Sequence, residues 1–218
     1  MLKYRLLIFD HDDTAVKSTP EINYPSFLET LSVLRPGLRL SLEEFLRRCC
    51  DKGFHRYCTE ELGFDEREMD FEYEMWKKYS GSRVPAFHEG VPEVLAAFKK
   101  AGGLVCVVSH SSAANIRRDY AAGCPSALPD LVFGWEEGEG RRKPEPWPVL
   151  EALRRFGLAR EDAVIVDDML PGLEMAQACS VDFACAGWSH PAPLERAMRE
   201  SCELYLEGAG DLRELLFS

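Results

Sequence analysis

YRLLIFDHDDT, residues 4–14, passes from an unbroken apolar run to three carboxylates within four positions. An apolar run of this length that ends abruptly in acids fits a strand buried on both faces, as in a parallel sheet. Asp10, Asp12 and Asp13 repel one another at such a strand end and are costly there unless a cation sits among them. Asp10 and Asp12, two apart, converge when the chain leaves the sheet in a loop. Oxygen ligands on a short loop suit Mg²⁺, and a carboxylate is also a nucleophile toward phosphorus. Taken alone, the segment reads equally as a solvated acidic turn.

Working outward, the same transition recurs. LVCVVS (104–109), AVIVDD (163–168), and the shorter LVFGW (131–135) and FACAGW (183–188) read as strands. Between them VPEVLAAFKKAG, SAANIRRDYAAG, WPVLEALRRFGL and LPGLEMAQACS carry helix periodicity, with Pro92 in a first turn and glycines at the ends. Strands alternating with helices predict an α/β fold, a parallel sheet covered on both faces. Residues 17–83 differ, with helix-period apolar positions and no convincing strand, so they read as a helical insert. Ser41 and Glu44 are placed as a capping box would place them.

Active sites of such sheets lie outside the carboxyl ends of the strands. Ser109 ends the second long run, where a hydroxyl followed by a helix start makes a phosphate-oxygen site. Ser109, Ser111 or Ser112 could equally be a plain helix N-cap. In GRRKPEPWPVL, Lys143 precedes Pro144 and reads either as an ammonium aimed in one direction or as part of a solvated basic turn. Asp167 and Asp168 end the last long run, where they ask for a cation or face a helix dipole.

The 218 residues carry 26 Lys plus Arg against 37 Asp plus Glu, a formal net charge of −11, which disfavours nucleic acid and anionic membranes as partners. No segment approaches the roughly 18 apolar residues of a membrane helix, and LLIF is too short for a signal peptide, so a cytoplasmic protein is expected. The 8 cysteines include no C-x-x-C pair and read as reduced, mostly buried thiols.

Asp10-x-Asp12-x-Thr14, Ser109 at the end of an apolar run, Lys143-Pro144 and Asp167-Asp168, in this order, resemble the four motifs of the haloacid-dehalogenase-like superfamily. FHEGVPEVL, with Gly90 and Pro92, resembles the re-entry after the cap in its phosphoglycolate-phosphatase-like branch. The resemblance implies a Rossmann-like three-layer α/β/α core (1–16 and 84–218) and a helical cap (17–83). It implies a Mg²⁺-dependent phosphatase acting on a small phosphorylated metabolite, as a monomer or weak homodimer. Asp10 would attack phosphorus and become the aspartyl-phosphate. Asp12 would act as general acid and base. Ser109 and Lys143 would hold phosphoryl oxygens. Asp10, Asp12 through its carbonyl, Asp168 and Asp167 would hold Mg²⁺. The acid at Asp12 favours phosphoryl transfer over dehalogenation.

The chain departs from the family pattern at four places. Asp13 stands where most relatives have glycine. His11 lies between the catalytic acids, as a substrate contact or a structural residue. His110 replaces a common asparagine. Gly172 and Leu173 stand where many relatives carry a second acid, which leaves Asp167, or less readily Glu174, for that part. Substrate choice is expected of the cap, where Arg47, Arg48, Lys52, His55 and Arg56 surround Gly53. They read as a cationic substrate loop, with Arg56 a binding residue beside Thr14, His11 and His110, or as a solvated helix face. Met69, Tyr73 and Trp76 form an apolar stripe expected in the cap's own core. The alternatives to a phosphatase are a phosphomutase of the β-phosphoglucomutase type and a noncatalytic phosphate-binding module.

Overall fold

The computed structural model describes residues 1–217. Its sheet has six parallel strands in the order β3-β2-β1-β4-β5-β6, with β1 Leu6–Phe9, β2 Leu104–Val108, β3 Leu131–Phe133, β4 Ala163–Asp167, β5 Asp182–Ala186 and β6 Tyr205–Leu206. The helices are α1 Tyr24–Leu34, α2 Leu42–Lys52, α3 Phe54–Arg56, α4 Glu66–Ser82, α5 Val91–Lys100, α6 Ala113–Gly123, α7 Trp147–Phe156, α8 Leu170–Cys179, α9 Ala192–Ser201 and α10 Ala209–Leu216.

Period-two alternation in β1 explains the three layers. Leu7 and Phe9 point to one face, where they join Leu95 and Phe98 of α5, Ile116 and Tyr120 of α6, and Leu212 and Leu216 of α10. Leu6 and Ile8 point to the other, against Val149 and Leu153 of α7 and Met175 and Cys179 of α8. All four β1 residues are buried, so the strand reads as a continuous apolar run because both its faces are covered. β1 is the third strand of the order and pairs with β2 on one side and β4 on the other, in register Ile8↔Cys106 and Ile8↔Ile165. The strand order reverses direction between β1 and β4, which is where an open parallel sheet leaves a crevice for ligands.

Five of the expected elements, α5 to α8 and β5, lie where periodicity put them. α9, β6 and α10 complete the fold beyond them, and β6 is only two residues long. Gly157, at φ 65°, ends α7 in the left-handed region as its position after the apolar run suggests.

Residues 17–83 contain helices and turns and no strand. They bury their own cluster of Phe27, Leu31, Phe45, Tyr57, Cys58 and Phe64, separate from the two clusters against the sheet. The segment leaves and returns at one place. Lys17 N donates to Ala86 O (2.8 Å), His88 N donates to Ala15 O (3.0 Å), and Val16 bridges Phe87 in antiparallel sense. Ser41 accepts from Glu44 N as expected. The Glu44 side chain does not return to complete a box, because it is held by Arg47 and Arg48. The complete capping box lies instead at α4, between Asp65 and Glu68. Among the described cysteines none is in a disulfide, and Cys58, Cys106, Cys124, Cys179 and Cys185 are buried. No helix among the described residues is long and apolar enough to cross a membrane.

Candidate active site

Four strand ends meet over the β1–β4 crevice. A cavity of about 760 Å³ opens there, lined by Asp10, Asp12, Ser109, His110, Lys143 and Asp168 from the sheet side and by Leu42, Leu46 and Cys49 of α2 from the helical segment. Asp10 follows β1, and its N–H donates to Val166 O of β4 at 3.0 Å, which fixes its carboxylate beside the end of that strand.

Lys143 is buried, not solvated. Its Nζ donates to Asp10 Oδ1 at 2.7 Å and to Asp167 Oδ2 at 2.6 Å. The two carboxylates hold its ammonium well above the ordinary lysine range against the opposing cost of burial. Asp10 moves the other way. Burial, the largest cause, and the neighbouring Asp167 and Asp12 push its carboxyl up to about 7, with Lys143 acting in opposition. Asp168 is likewise pushed well up, by burial first and by Asp10 and Asp167 next.

Asp10, Asp167 and Asp168 each offer an oxygen within 4.8 Å of the others, and all three are buried. Three carboxylates this close, with two pushed toward their neutral forms, could hold a hard divalent cation such as Mg²⁺. Thr14 does not line the cavity. Its Oγ1 donates to Asp168 Oδ1 at 3.3 Å and its carbonyl accepts from Trp188 Nε1 at 3.0 Å, so it positions an acid of the cluster. Glu174 is exposed on α8 and takes no part in the cluster.

Asp12 turns its carboxylate away from the other acids. It accepts from Ser18 Oγ at 2.5 Å, Ser111 Oγ at 2.6 Å and Ser109 Oγ at 3.0 Å. Burial opposes its ionisation, but neighbouring His11 and the three hydroxyls outweigh it and keep the carboxyl below its ordinary value. Ser112 is the N-cap of α6, accepting from Asn115 N, which leaves Ser109 and Ser111 for Asp12. Ser111 was read in the sequence only as a possible helix N-cap, and Ser18 was not singled out. Ser111 sits two residues past a strand-end serine, but nothing local links Ser18 to Asp12.

Asp13 adopts φ 56°, the left-handed region that favours glycine. Its carboxylate accepts from Thr19 N at 2.9 Å and from Thr19 Oγ1, capping the turn that opens the helical segment.

Two expected substrate contacts are placed elsewhere. His11 is buried, with its Nε2 3.2 Å from Asp119 Oδ2 and its ring stacked on Tyr120, and it is absent from the main cavity wall. Asp119 also accepts two hydrogen bonds from Arg118, whose guanidinium reaches the carbonyls of Ser80, Gly81 and Arg83 at the return of the helical segment. His11 is therefore part of a buried network tying the loop after β1 to that return. Arg56 is exposed and pairs with Glu60 one helical turn on. Its neighbours are also matched by acids, Arg47 by Glu44 and Arg48 by Glu44 and Glu61. His55 is exposed, and the Lys52 side chain lies outside the described residues. The three arginines of the basic segment are thus paired with acids of the same segment.

His110 does face the cavity. Its Nε2 lies 3.0 Å from Lys143 O and its ring stands edge-on to Trp135, with burial pushing its pKa down. The Met69–Tyr73–Trp76 stripe is not a single core feature. Met69 packs on the insert's apolar cluster, whereas Tyr73 and Trp76 stack on each other at 5.8 Å and line a second cavity next to the first. Arg141 and Arg142 flank Lys143 but lie over the rings of Trp147 and Trp135.

Residues 7–186 match the family model of haloacid dehalogenase-like hydrolases. The chain is 26% identical to a phosphoglycolate phosphatase of Nitrosococcus oceani over 215 residues, covering 92% of this chain and 93% of that protein. It is 26% identical to one from Aquifex aeolicus over 192 residues, covering 85% and 86%. Among solved structures it superposes on a HAD family hydrolase from Deinococcus radiodurans with bound phosphate and sodium (TM-score 0.76, 20% identity, 99% of each chain). It also superposes on CbbY from Rhodobacter sphaeroides in complex with xylulose-1,5-bisphosphate (TM-score 0.71, 19% identity, all of both chains). At these identities the solved structures share the fold.

Proposed function

The chain belongs to the haloacid dehalogenase-like hydrolase family, and from that premise we propose that it is a Mg²⁺-dependent phosphatase that cleaves a small phosphate monoester through an aspartyl-phosphate. The observation that carries this reading is the Asp10–Lys143–Asp167 chain of 2.7 and 2.6 Å contacts beside Asp168 at the mouth of the β1–β4 crevice. The named phosphatases among its relatives support the reaction class.

In this reading Asp10 Oδ attacks phosphorus and the ester oxygen leaves. Asp12, ionised in the free protein, takes up a proton as substrate binds, gives it to that oxygen and then takes one from the water that attacks the aspartyl-phosphate, releasing inorganic phosphate. The three hydroxyls on Asp12 hold it at the leaving-group side, away from Lys143. Ser109 Oγ and Lys143 Nζ are placed to share phosphoryl oxygens, and Lys143 keeps Asp10 oriented. Asp10, Asp168 and Asp167 would hold Mg²⁺, with Asp12 joining only through its main-chain carbonyl. The ion would neutralise phosphate charge and orient the group for in-line attack. Residues 17–83 form the cap, which excludes water on closing, and residues 1–16 and 84–218 form the core.

The mutase alternative needs a second phosphate anchor in the cap. The cap arginines that would supply one are engaged by Glu44, Glu60 and Glu61, which argues for hydrolysis. Phosphate release from a panel of monoesters, with Mg²⁺ and with EDTA, on the wild type and Asp10→Asn, tests the proposal. Mg²⁺-dependent release that Asp10→Asn abolishes is expected. Release that survives Asp10→Asn, or none from any ester by folded protein, overturns it.

A further inference from the structure

Beside the phosphate cavity lies a second one of about 440 Å³, and Thr19, Leu46 and His110 line both. One molecule can therefore span them. The walls of the second cavity are largely aromatic, with Phe45, Phe54, Tyr73, Trp76 and Trp135. Two of these rings are fixed. Trp76 Nε1 donates to Asn23 Oδ1 at 3.0 Å, and Trp135 is held between the Arg142 guanidinium at 3.6 Å and the edge of His110.

Into this apolar wall α4 turns Glu72, 7% exposed. No hydrogen bond or ion pair holds its carboxylate among the described residues, and its oxygens open onto the cavity rather than being sealed in the core. Apart from His110, whose pKa burial pushes down, Glu72 is the one acidic or basic side chain among the described residues lining that cavity. Burial alone pushes its carboxyl up to about 7, so a charge partner is what it lacks. Among the described residues the cavity wall has neutral donors such as Thr19, Asn23 and Ser112 but no lysine or arginine for a carboxylate. The cap arginines pair with acids elsewhere, and Lys143 is spent on Asp10 and Asp167.

We propose that the organic part of the substrate carries a cationic, apolar group, an amine or quaternary ammonium, seated against Glu72 and Trp76, the Tyr73 ring already carrying the Lys77 ammonium at 5.5 Å. The substrate class is then an aminoalkyl or ammonioalkyl phosphate rather than a phosphorylated hydroxy acid. This rests on the phosphatase reading of the adjoining site. An ammonium over Trp or Tyr gains cation–π attraction, and the gain is larger in a desolvated pocket with a carboxylate beside it. A glycolate-type carboxylate would meet Glu72 with like charge.

Two arms test this. The first compares kcat/KM for phosphocholine, phosphoethanolamine, phenyl phosphate and phosphoglycolate with Mg²⁺. The wild type is expected to favour a cationic ester over phosphoglycolate by more than tenfold, and Glu72→Gln to shrink that ratio at least tenfold. A wild-type preference for phosphoglycolate, or a ratio unmoved by Glu72→Gln, overturns the proposal.

The second arm needs no turnover, so it separates failure of this proposal from failure of the phosphatase reading. Benzyltrimethylammonium binding is measured by calorimetry on the wild type, Glu72→Gln and Trp76→Leu, each checked for a cooperative melt. Binding weakened at least tenfold by Glu72→Gln supports the site even if no ester is cleaved. Equal binding by wild type and Glu72→Gln, or none by the wild type, overturns it.

Discussion

A Cβ placed on Gly172 would lie 2.3 Å from Cγ of Asp167 and 2.5 Å from its Oδ2. The Asp167 carboxyl thus fills the space that a side chain at position 172 would need. Both of its oxygens are engaged there, Oδ2 by Lys143 Nζ and Oδ1 by Met169 N at 3.0 Å. An acid at 167 with glycine at 172 thus puts one carboxylate in the space that a side chain at 172 would occupy.

Gly172→Ala must therefore displace Asp167 and loosen Lys143 from Asp10. We expect kcat/KM to fall by about 10²-fold, as for other displacements near 1 Å at a reacting site. The overpacking should cost about 1–3 kcal/mol of stability. The double exchange Asp167→Gly/Gly172→Asp should recover activity relative to Gly172→Asp alone. Steady-state kinetics on the three variants check this, and a double variant no better than the single one would refute it.

The acid cluster makes a metal prediction. A cation that binds only the folded protein stabilises it by about 2.7 kcal/mol when present at a hundred times its Kd. Mg²⁺ should raise the melting temperature of the wild type, and EDTA should reverse the rise. Asp168→Asn should lose most of the shift, and the metal-free variant should melt higher than metal-free wild type, because it removes a buried charge that faces Asp10 and Asp167. Calorimetric melts with and without Mg²⁺ measure both effects.

Much of this site was legible because strand ends announce themselves. Asp10, Ser109 and Asp168 each follow an apolar run, and parallel register brings those ends together. Lys143 was legible as a candidate only, since its two partners lie 133 and 24 residues away. The parts that escaped depend on side chains remote in sequence, such as Asp119 on His11 at a separation of 108. β6 escaped because two residues carry no periodicity. The Arg56–Glu60 pair, by contrast, stands at helical i,i+4 spacing and offsets part of the positive charge of the basic segment around Gly53.

Asp13 separates two opposing effects. Its φ of 56° costs about 1 kcal/mol for a residue with a Cβ, which glycine would relieve. Its carboxylate accepts the Thr19 N–H and hydroxyl, a cap contributing about 1 kcal/mol. Asp13→Gly should therefore be near neutral, while Asp13→Ala keeps the strain, loses the cap and destabilises by about 1–2 kcal/mol. Denaturant melts of the two variants give the order, and an alanine variant as stable as the glycine variant would show that the backbone conformation carries no cost.

Glu72 ties stability to pH with a definite sign. Its folded carboxyl is raised to about 7 from an ordinary 4.5, so the folded state binds this proton more tightly than the unfolded chain. Below 4.5 both states are protonated and Glu72 costs nothing. As pH climbs through the window from 4.5 to about 7 the unfolded chain ionises first, and the penalty grows until it is complete above 7. Glu72→Gln removes the titration, so ligand-free variant and wild type should be equally stable near pH 4.5. At pH 8 the variant should be more stable by about 3 kcal/mol. Chemical denaturation at both pH values isolates the effect, because every other titrating group is common to the two proteins. A variant less stable than the wild type at pH 8 would mean that Glu72 already has a cation in the free protein, and the cavity it lines would not be waiting for one.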